Sequence, residues 1–313
     1  MRFIETFREG NHISDVYLCK TKQIALTKNG KEYGSLVLQD KTGTVDAKIW
    51  ELNSPGINEF CALDYVYVDA DVTLFQGQNQ LNVKRIRKAD EGEYHPADYL
   101  PVTTKDIPTM QHELTQYITT IKNEYLRKLA SGYFNDPEFM KAFSFHSAAK
   151  SVHHGFVGGL LEHTLSVVKM CDYFSKQYPV LNRDLLLTAA MFHDIGKTKE
   201  LSAFPENDYT DDGQLLGHIV MGVELVGASI RRIPGFPKKL ASELKHCILA
   251  HHGELEYGSP KKPALAEALA LNFADNTDAK LETFKEALKS NNDNNDWLGY
   301  NRLFESNIRK TSI

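Results

Sequence analysis

Polar side chains embedded in apolar helical sequence are the feature that most constrains how this chain can fold. The stretch "LTAAMFHDIGKTKE", residues 187–200, places His193 and Asp194 side by side within an apolar run. Burying an imidazole and a carboxylate is costly unless each finds a partner. A fold that contains this stretch must therefore bring compensating groups, or a metal ion, to the same place.

Similar residues occur in other apolar helical runs of the same region. They are His163 in "GGLLEHT", His218 in "GHIVMGVELV", His251 and His252 at the end of "ELKHCILAHH", and Asp275 in "EALALNFADNTDA". Any one of them alone is best explained as a core residue with a satisfied hydrogen bond. As a set, imidazoles and carboxylates from the apolar faces of several helices are typical of a metal site in a bundle core.

Residues 11–87 have the pattern of a small β-barrel. Five β-branched and aromatic runs follow one another, from "DVYLCKTKQIALT" to "NQLNVKRIR". The segments "KNGKEYG", "DKTG" and "QGQNQ" supply turn residues between the runs. Such a series of short strands predicts a five-stranded OB-fold, the commonest barrel of this size.

The chain changes character after Lys88. The segment 91–111 contains three prolines and no sustained hydrophobic period, which predicts a linker. From about His112, apolar residues recur at helical spacing, with runs near 160–178, 183–195, 215–232, 238–251 and 263–289. We therefore expect a multidomain protein: an all-β OB-fold barrel over 1–90, a linker over 91–111, and an all-α helical bundle with a C-terminal tail over 112–313.

Composition excludes several classes of protein. The net charge is −5, and residues 1–90 contain twelve basic and twelve acidic residues, so the acidic excess belongs to the helical part. This balance excludes a strongly basic nucleic-acid-binding domain, although metal ions and a local basic strip could still bind phosphates. Four scattered cysteines, a charged N-terminus and the lack of an uninterrupted apolar run of ~20 residues predict a cytoplasmic protein without a membrane partner.

The seven polar residues of the apolar runs, in their order along the chain, resemble the metal ligands of the HD superfamily of metal-dependent phosphohydrolases. The resemblance covers roughly residues 145–280 and implies one ion held by His163, His193, Asp194 and Asp275. It implies that Asp194 bridges to a second ion held by His218, His251 and His252. A mixed imidazole and carboxylate shell favours Mn²⁺, Fe²⁺, Co²⁺ or Ni²⁺ over Mg²⁺. The implied reaction is hydrolysis of a phosphoester or phosphodiester.

Three neighbouring residues are candidates for contact with the substrate. Lys197 lies three residues after Asp194, so on a helix its ammonium group would face the same side and could neutralise a phosphate. We therefore expect Lys197 to be catalytic together with Asp194; a solvated lysine near a helix end is the alternative. His153 and His154 precede the glycine-rich "GFVGG" and are candidates for the substrate entrance.

Aromatic and basic residues of the barrel are candidates for nucleic-acid binding. OB-folds stack bases on exposed aromatic rings and track the backbone with basic side chains. The candidates are Tyr17, Tyr33, Trp50, Phe75, Lys84, Arg85, Arg87 and Lys88. The alternative is that half or more of these aromatic rings fill the barrel core, Trp50 among them.

The barrel and the helical region together closely resemble the YhaM family of bacterial 3′-5′ exoribonucleases. The phrases "LQDKTGTVDAKIW", "GGLLEHT" and "HDIGK" carry this resemblance, which spans almost the whole chain. It implies a manganese- or cobalt-dependent enzyme that removes nucleoside monophosphates from the 3′ end of single-stranded RNA and often acts on single-stranded DNA. It also implies that the barrel feeds the strand to the HD core; whether the chain forms a homo-oligomer stays open.

Two other functions stay open at this point. One is an HD phosphohydrolase of small or cyclic nucleotides, in which the barrel is a regulatory or oligomerisation module. The other is a non-enzymatic single-strand-binding replication accessory protein with a degenerate HD core. For the tail "DWLGYNRLFESNIRK" we expect a C-terminal helix that packs on the bundle, with reach over the active site or a neighbouring subunit as the alternative.

Overall fold

The structure is a computed structural model that describes residues 1–150, 154–289 and 296–312. It consists of two compact units, Met1–Pro101 and Val102–Ile313. The division lies within the segment 91–111 for which a linker is expected. A short 3₁₀ helix, Pro96–Asp98, ends the first unit, and the first α-helix of the second begins at Ile107.

The first unit is a closed five-stranded barrel. Its strands are β1 (His12–Leu26), β2 (Glu32–Asp40), β3 (Gly43–Ile49), β4 (Tyr65–Phe75) and β5 (Gln78–Lys88). The strand order is β1-β2-β3-β5-β4, and β4 pairs with β1 to close the barrel. Of the five strand pairs in the barrel, β3 with β5 is the parallel one, and the other four are antiparallel. This Greek-key closure confirms the predicted OB-fold.

Alternation along the strands fills the barrel with apolar side chains. In β2 the side chains of Leu36 and Leu38 are buried, and in β4 those of Val66 and Val68 are buried, each with a more exposed residue between. A period of two is what a strand with one buried face requires. The residues between them form the outer surface of the barrel.

The second unit is mainly helical. Its helices are α1 (Ile107–Thr119), α2 (Glu124–Phe134), α3 (Pro137–Phe145), α4 (Gly159–Gln177), α5 (Arg183–Phe192), α6 (Lys197–Glu200), α7 (Asp211–Arg231), α8 (Lys238–Leu249) and α9 (Ala266–Lys289). The continuous period predicted from His112 is divided between α1 and α2, because the Asn123 side chain caps α2 by accepting from the backbone N–H groups of Tyr125 and Leu126. Gly132 lies inside α2 and does not end the helix.

Helices α4 and α5 form the centre of the bundle. Every residue of α5 from Leu185 to Phe192 is buried, and α4 is buried on most of its circumference. A helix that is apolar all round is stable only when neighbours cover it on every side. The polar residues that these two helices deliver are therefore placed deep in the unit.

Helix α7 is, within the described residues, the one helix long and apolar enough to cross a membrane, with a mean hydropathy of 1.3. Length and composition alone also fit a core helix of a globular bundle. Here α7 packs against α6 and α8 and carries His218, and its backbone leaves helical geometry at Gly217. These features fit the globular interpretation.

The C-terminal tail differs from the expected helix. Residues Trp297–Asn301 form strand β6 and Ser306–Arg309 form strand β7, which pair antiparallel. The prediction of a C-terminal helix is therefore wrong. The Phe304 ring between the two strands packs edge-on against Phe284 of α9. The polar stretch 290–295 lies outside the described residues.

Candidate metal centre

The fold brings all seven predicted ligands around one centre. Helix α4 carries His163, the end of α5 carries His193 and Asp194, and α9 carries Asp275. Helix α7 carries His218, and the turn after α8 carries His251 and His252. Among these seven residues, two groups have ligand atoms within 4.8 Å of one another: His163, His193 and Asp275, and His218, His251 and His252.

Two glycines allow α7 to reach this centre. A Cβ atom at Gly196 would lie 1.9 Å from the His218 carbonyl oxygen, so any other residue would push α7 away. Gly217 has a φ of +72°, a left-handed conformation that favours glycine, and it turns the chain immediately before His218. The "HDIGK" phrase thus contributes ligands together with the small residue that lets a second helix approach them.

Each of the five imidazoles in the set is oriented through its Nδ1 atom. The Nδ1–H groups of three of them donate to backbone carbonyls: His193 to Ala190 at 2.8 Å, His251 to Ile248 at 2.7 Å, and His252 to Tyr257 at 2.8 Å. The other two donate to carboxylates: His163 to Asp278 at 2.7 Å and His218 to Glu200 at 3.0 Å. Because each acceptor is an oxygen that cannot donate, these contacts fix the tautomer and leave every Nε2 directed to the centre.

The Asp194 carboxylate lies between the two groups. Its Oδ2 atom is 3.4 Å from the Nε2 atoms of both His163 and His193. Its Oδ1 atom is 3.5 Å from His218 Nε2 and 3.7 Å from His251 Nε2. One carboxylate therefore presents a different oxygen to each imidazole group.

Four buried polar atoms in the described part of the chain have no hydrogen-bond partner, and three of them belong to this centre. These three are Asp194 Oδ1, His218 Nε2 and His251 Nε2. Buried polar groups are nearly always paired, because desolvation without a partner is costly. A divalent ion would satisfy all three together, so the residues present fit a metal ion on the Oδ1 side of Asp194.

The charges of the centre also fit metal binding. Burial raises the pKa of Asp194, but Lys197 and His193 outweigh it and hold that pKa well below its ordinary value. Burial lowers the pKa of His251 well below its ordinary value, with help from His252 and His193. Burial alone would lower the pKa of His163, but Asp194, Asp275 and Asp278 raise it well above its ordinary value. Asp194 is therefore ionised and His251 is neutral, which are the forms that bind metals, whereas His163 would have to release a proton when an ion binds.

Lys197 lies where its spacing predicts. Its Nζ is 2.7 Å from Asp194 Oδ2, although a turn rather than a continuous helix joins the two residues. Burial lowers the pKa of Lys197, but the Asp194 carboxylate outweighs it and raises that pKa above its ordinary value. The ammonium group is therefore a fixed positive charge beside the centre.

Sequence reasoning missed Asp278. Its Oδ2 accepts from His163 Nδ1 at 2.7 Å and from His154 Nε2 at 2.9 Å, so it orients a predicted ligand. A signal was available, because Asp278 lies three residues after Asp275 in "DNTDA" and so shares its side of α9. Glu200, which orients His218, was missed as well.

His154 does not line an entrance. Its side chain is buried against His163 and Asp278, and its Nδ1 atom has no hydrogen-bond partner within the described residues. The prediction of a substrate-entrance role is therefore wrong for His154. His153 lies outside the described residues.

The arrangement predicts the effect of removing the Asp278 charge. We expect Asp278→Asn to lower affinity for the ion at His163 about 10- to 100-fold, because the amide is a weaker acceptor for His163 Nδ1–H. A Mn²⁺ titration of the purified protein measures this. Asp211→Asn, at the exposed start of α7, is the matched control. Equal affinities in the two variants would contradict the orienting role of Asp278.

The barrel separates the predicted aromatic residues into two classes. Tyr17 is fully buried, its ring packs edge-on against Phe7, and its hydroxyl donates to the Arg2 carbonyl at 2.7 Å. The prediction that Tyr17 contacts nucleic acid is therefore wrong. Trp50 is 43% exposed, and its ring stacks on that of Tyr33 with centroids 5.1 Å apart. Phe75 is exposed at the end of β4.

The predicted basic strip is largely paired with acidic neighbours. Lys84 contacts Asp71 at 2.5 Å, Arg87 contacts Glu93 at 2.7 Å, and Lys88 contacts Asp64 at 2.6 Å. Arg85 has no ion pair within the described residues. Surface ion pairs of this kind are weak and can exchange for a phosphate. Contact with nucleic acid thus stays a prediction for all four side chains.

Comparisons with known proteins agree with this architecture. Residues 160–280 match the HD domain family. The chain is 35% identical over 282 residues to "3′-5′ exoribonuclease YhaM" of Bacillus velezensis, which covers 90% of this chain and 88% of that protein. It is 34% identical over 277 residues to the protein of the same name from Geobacillus sp., which covers 88% of this chain and 85% of that one.

Solved structures similar to part of the chain include the second OB-fold domain of replication protein A from Methanococcus maripaludis. That match has a TM-score of 0.22 and 21% identity, and it covers 29% of this chain and 96% of the other. A replication protein A heterotrimer bound to single-stranded DNA matches with a TM-score of 0.22 and 17% identity, over 28% of this chain and 65% of the other.

Proposed function

The chain belongs to the YhaM family of 3′-5′ exoribonucleases, and on that basis we propose that it hydrolyses single-stranded RNA from the 3′ end in a centre of two divalent ions. The products would be nucleoside monophosphates. One observation supports the two-ion centre above the others: Asp194 Oδ2 faces His163 and His193, whereas its Oδ1 faces His218 and His251. A carboxylate with a separate imidazole group at each oxygen is arranged to bridge two ions.

The donor set indicates which residues would hold each ion and which metals suit them. The first ion would have His163, His193, Asp275 and Asp194 as ligands, and the second would have His218, His251, His252 and Asp194. Imidazole-rich shells with a carboxylate suit Mn²⁺, Co²⁺, Fe²⁺ or Ni²⁺, and we propose Mn²⁺ as the ion in use. When bound, such ions supply Lewis acidity toward a phosphate and toward the attacking water.

The remaining residues of the centre would orient the ligand imidazoles and neutralise negative charge on the substrate. Glu200 and Asp278 hold the His218 and His163 rings through their Nδ1 atoms. The positively charged Lys197 ammonium group would lie beside the scissile phosphate. There it would stabilise the negative charge that develops on the phosphate oxygens in the transition state. Because its pKa is raised, Lys197 stays protonated across the neutral range.

We propose that the outer face of β2 and β3 binds the single strand. The stacked Tyr33 and Trp50 rings lie at one end of this face, beside Lys48, whose Nζ donates to Ser35 Oγ at 2.8 Å. In OB-folds the face of strands 2 and 3 commonly binds oligonucleotides. Since stacking on aromatic rings does not read the sugar, we propose single-stranded DNA as a second ligand.

Trp50→Ala is expected to weaken binding of a long single-stranded RNA about 5- to 150-fold, which is the usual range for loss of one stacking residue. Fluorescence anisotropy in a chelating buffer measures binding without turnover. The buried Tyr17→Phe variant is the control, and it should lower thermal stability by removing the bond to Arg2 while leaving RNA affinity unchanged. Unchanged RNA affinity in Trp50→Ala would contradict a strand path over this face.

The proposed activity is tested by product analysis on a 5′-labelled single-stranded RNA. With Mn²⁺ we expect a ladder of labelled products that shortens from the 3′ end, release of monophosphates, and no reaction in chelator. Intact RNA together with hydrolysis of free nucleotides would instead identify a small-nucleotide phosphohydrolase. Binding of RNA without any hydrolysis would identify a non-enzymatic single-strand-binding protein.

A further inference from the structure

A small cavity opens on the metal centre and has a wall that the metal ligands do not form. Its volume is about 230 Å³, and His163, Asp194, His252 and Asp275 contribute to its lining beside Lys197. This is smaller than the roughly 300–1,000 Å³ of most ligand pockets. The rest of the lining is formed by Tyr257, Asn272, Asn276, Ala148 and Ala279. The cavity is open to solvent at its Tyr257 side, because that residue is exposed, so part of a larger substrate could occupy it.

Tyr257 is held in place through its backbone while its side chain is free. The residue ends a 3₁₀ helix, Leu255–Tyr257, and its carbonyl accepts from the His252 ring at 2.8 Å. Ser259 is buried and its hydroxyl contacts the carbonyls of Leu249 and Lys261, which fixes the loop that follows. Tyr257 is 69% exposed, and within the described residues its side chain contacts no other aromatic ring and makes no hydrogen bond.

The two asparagines of the wall differ in their bonding. Asn272 Nδ2 donates to the His251 carbonyl at 2.8 Å, so this residue supports the turn that carries two ligands. Asn276 follows Asp275 on α9 and is exposed, and its amide has no hydrogen-bond partner within the described residues. The wall thus offers one free aromatic ring and one free amide beside the ligands and the Lys197 ammonium.

We propose that this wall is the binding site for the 3′-terminal nucleoside of the substrate, with Tyr257 as the residue that stacks on its base. The assignment rests on the proposed exonuclease function and specifies which part of the substrate occupies the cavity. An aromatic face, a polar amide and a cationic phosphate site within one small cavity match the three parts of a nucleotide: base, sugar and phosphate. Every base presents a π-face, so such a site accepts any base at the 3′ end.

The proposal is tested by pairing Tyr257 variants with RNAs that lack the terminal base. Two 5′-labelled RNAs are compared, one ordinary and one with an abasic 3′-terminal nucleotide. We expect Tyr257→Ala to reduce kcat/KM on the ordinary RNA about 5- to 150-fold, and to have little effect on the abasic RNA, which has no base to stack. Tyr257→Phe keeps the aromatic ring, so this variant is expected to retain the wild-type preference for an RNA with a base at its 3′ end.

A second readout does not depend on turnover. Affinity for a 5′-fluorescent RNA tetranucleotide in chelating buffer should fall in Tyr257→Ala for the ordinary end and not for the abasic end. The metal content of Tyr257→Ala should equal that of the wild-type protein, because His252 contacts the Tyr257 backbone carbonyl, which the substitution retains. Tyr173→Ala, at a similarly exposed tyrosine on α4, is the matched control.

The outcomes separate this proposal from the proposed function. Equal losses on ordinary and abasic RNA in Tyr257→Ala, or no loss on either, would overturn the stacking assignment while the wild-type protein still shortened RNA from its 3′ end. If the wild-type protein shortened neither RNA in Mn²⁺, the exonuclease function itself would fail.

Discussion

Replacing Asp194 with asparagine is expected to reduce RNA hydrolysis at least about 10³-fold and to remove both metal ions. The asparagine side chain has the same shape as aspartate, but it lacks the negative charge that both ions would share. Asp194 is almost fully buried between the two imidazole groups, so the lost charge would be missing from both ion sites. The measurement is kcat on a 5′-labelled RNA together with metal content by elemental mass spectrometry.

His218→Ala is the comparison that makes the Asp194 result specific. His218 contacts only the Oδ1 side of Asp194, so its loss should release one ion and leave the ion at His163 and His193. Circular dichroism of both variants checks that the helical unit stays folded. Full metal content in Asp194→Asn, or loss of both ions in His218→Ala, would contradict the bridging assignment.

Lys197→Met is expected to lower kcat about 100-fold while both metal ions are retained. The substitution keeps most of the side-chain volume and removes the ammonium group, which lies 2.7 Å from Asp194 Oδ2 at the edge of the cavity. Losing one preorganised charge that stabilises the transition state typically costs about 10²- to 10³-fold. Single-turnover rates at saturating Mn²⁺ measure the effect on hydrolysis.

Lys199→Met is the matched control for that prediction. Lys199 lies two residues further on α6, and it is exposed outside the metal cavity. Its substitution should leave kcat and metal content unchanged. Equal kcat values for the two lysine variants would contradict a catalytic role for the Lys197 ammonium group.

Much of this architecture could be predicted because hydrophobic periodicity is a local signal. Strands β1 to β5 follow from β-branched runs separated by turn residues, and their number and spacing allow few closed arrangements. The ligand set could be identified because polar residues in apolar helical sequence require compensation, and that cost does not depend on tertiary detail. The spacing of Asp194 and Lys197, three residues apart, was sufficient to predict that their side chains lie on the same side of the chain.

The features that the sequence did not reveal depend on tertiary contacts. Alternation could not tell which face of β1 holds Tyr17, and a small barrel has room for a large ring that only the structure identifies as internal. His154 precedes the glycine-rich "GFVGG", but its carbonyl oxygen lies so close to Gly159 that a Cβ atom at Gly159 would be 2.0 Å from it, a contact that the sequence does not reveal. The tail carries aromatic residues that are compatible with a helix or a strand. It forms strands because β6 and β7 pair with each other, and this pairing is a tertiary contact.

The central claim is that Asp194 bridges two ions, and anomalous scattering from crystals grown with Mn²⁺ tests it most directly. We predict two peaks in each chain, one beside each carboxylate oxygen of Asp194. The peak at Oδ2 should also adjoin His163, His193 and Asp275, and the peak at Oδ1 should adjoin His218, His251 and His252. A single peak, or two peaks that do not share Asp194, would contradict the two-ion centre.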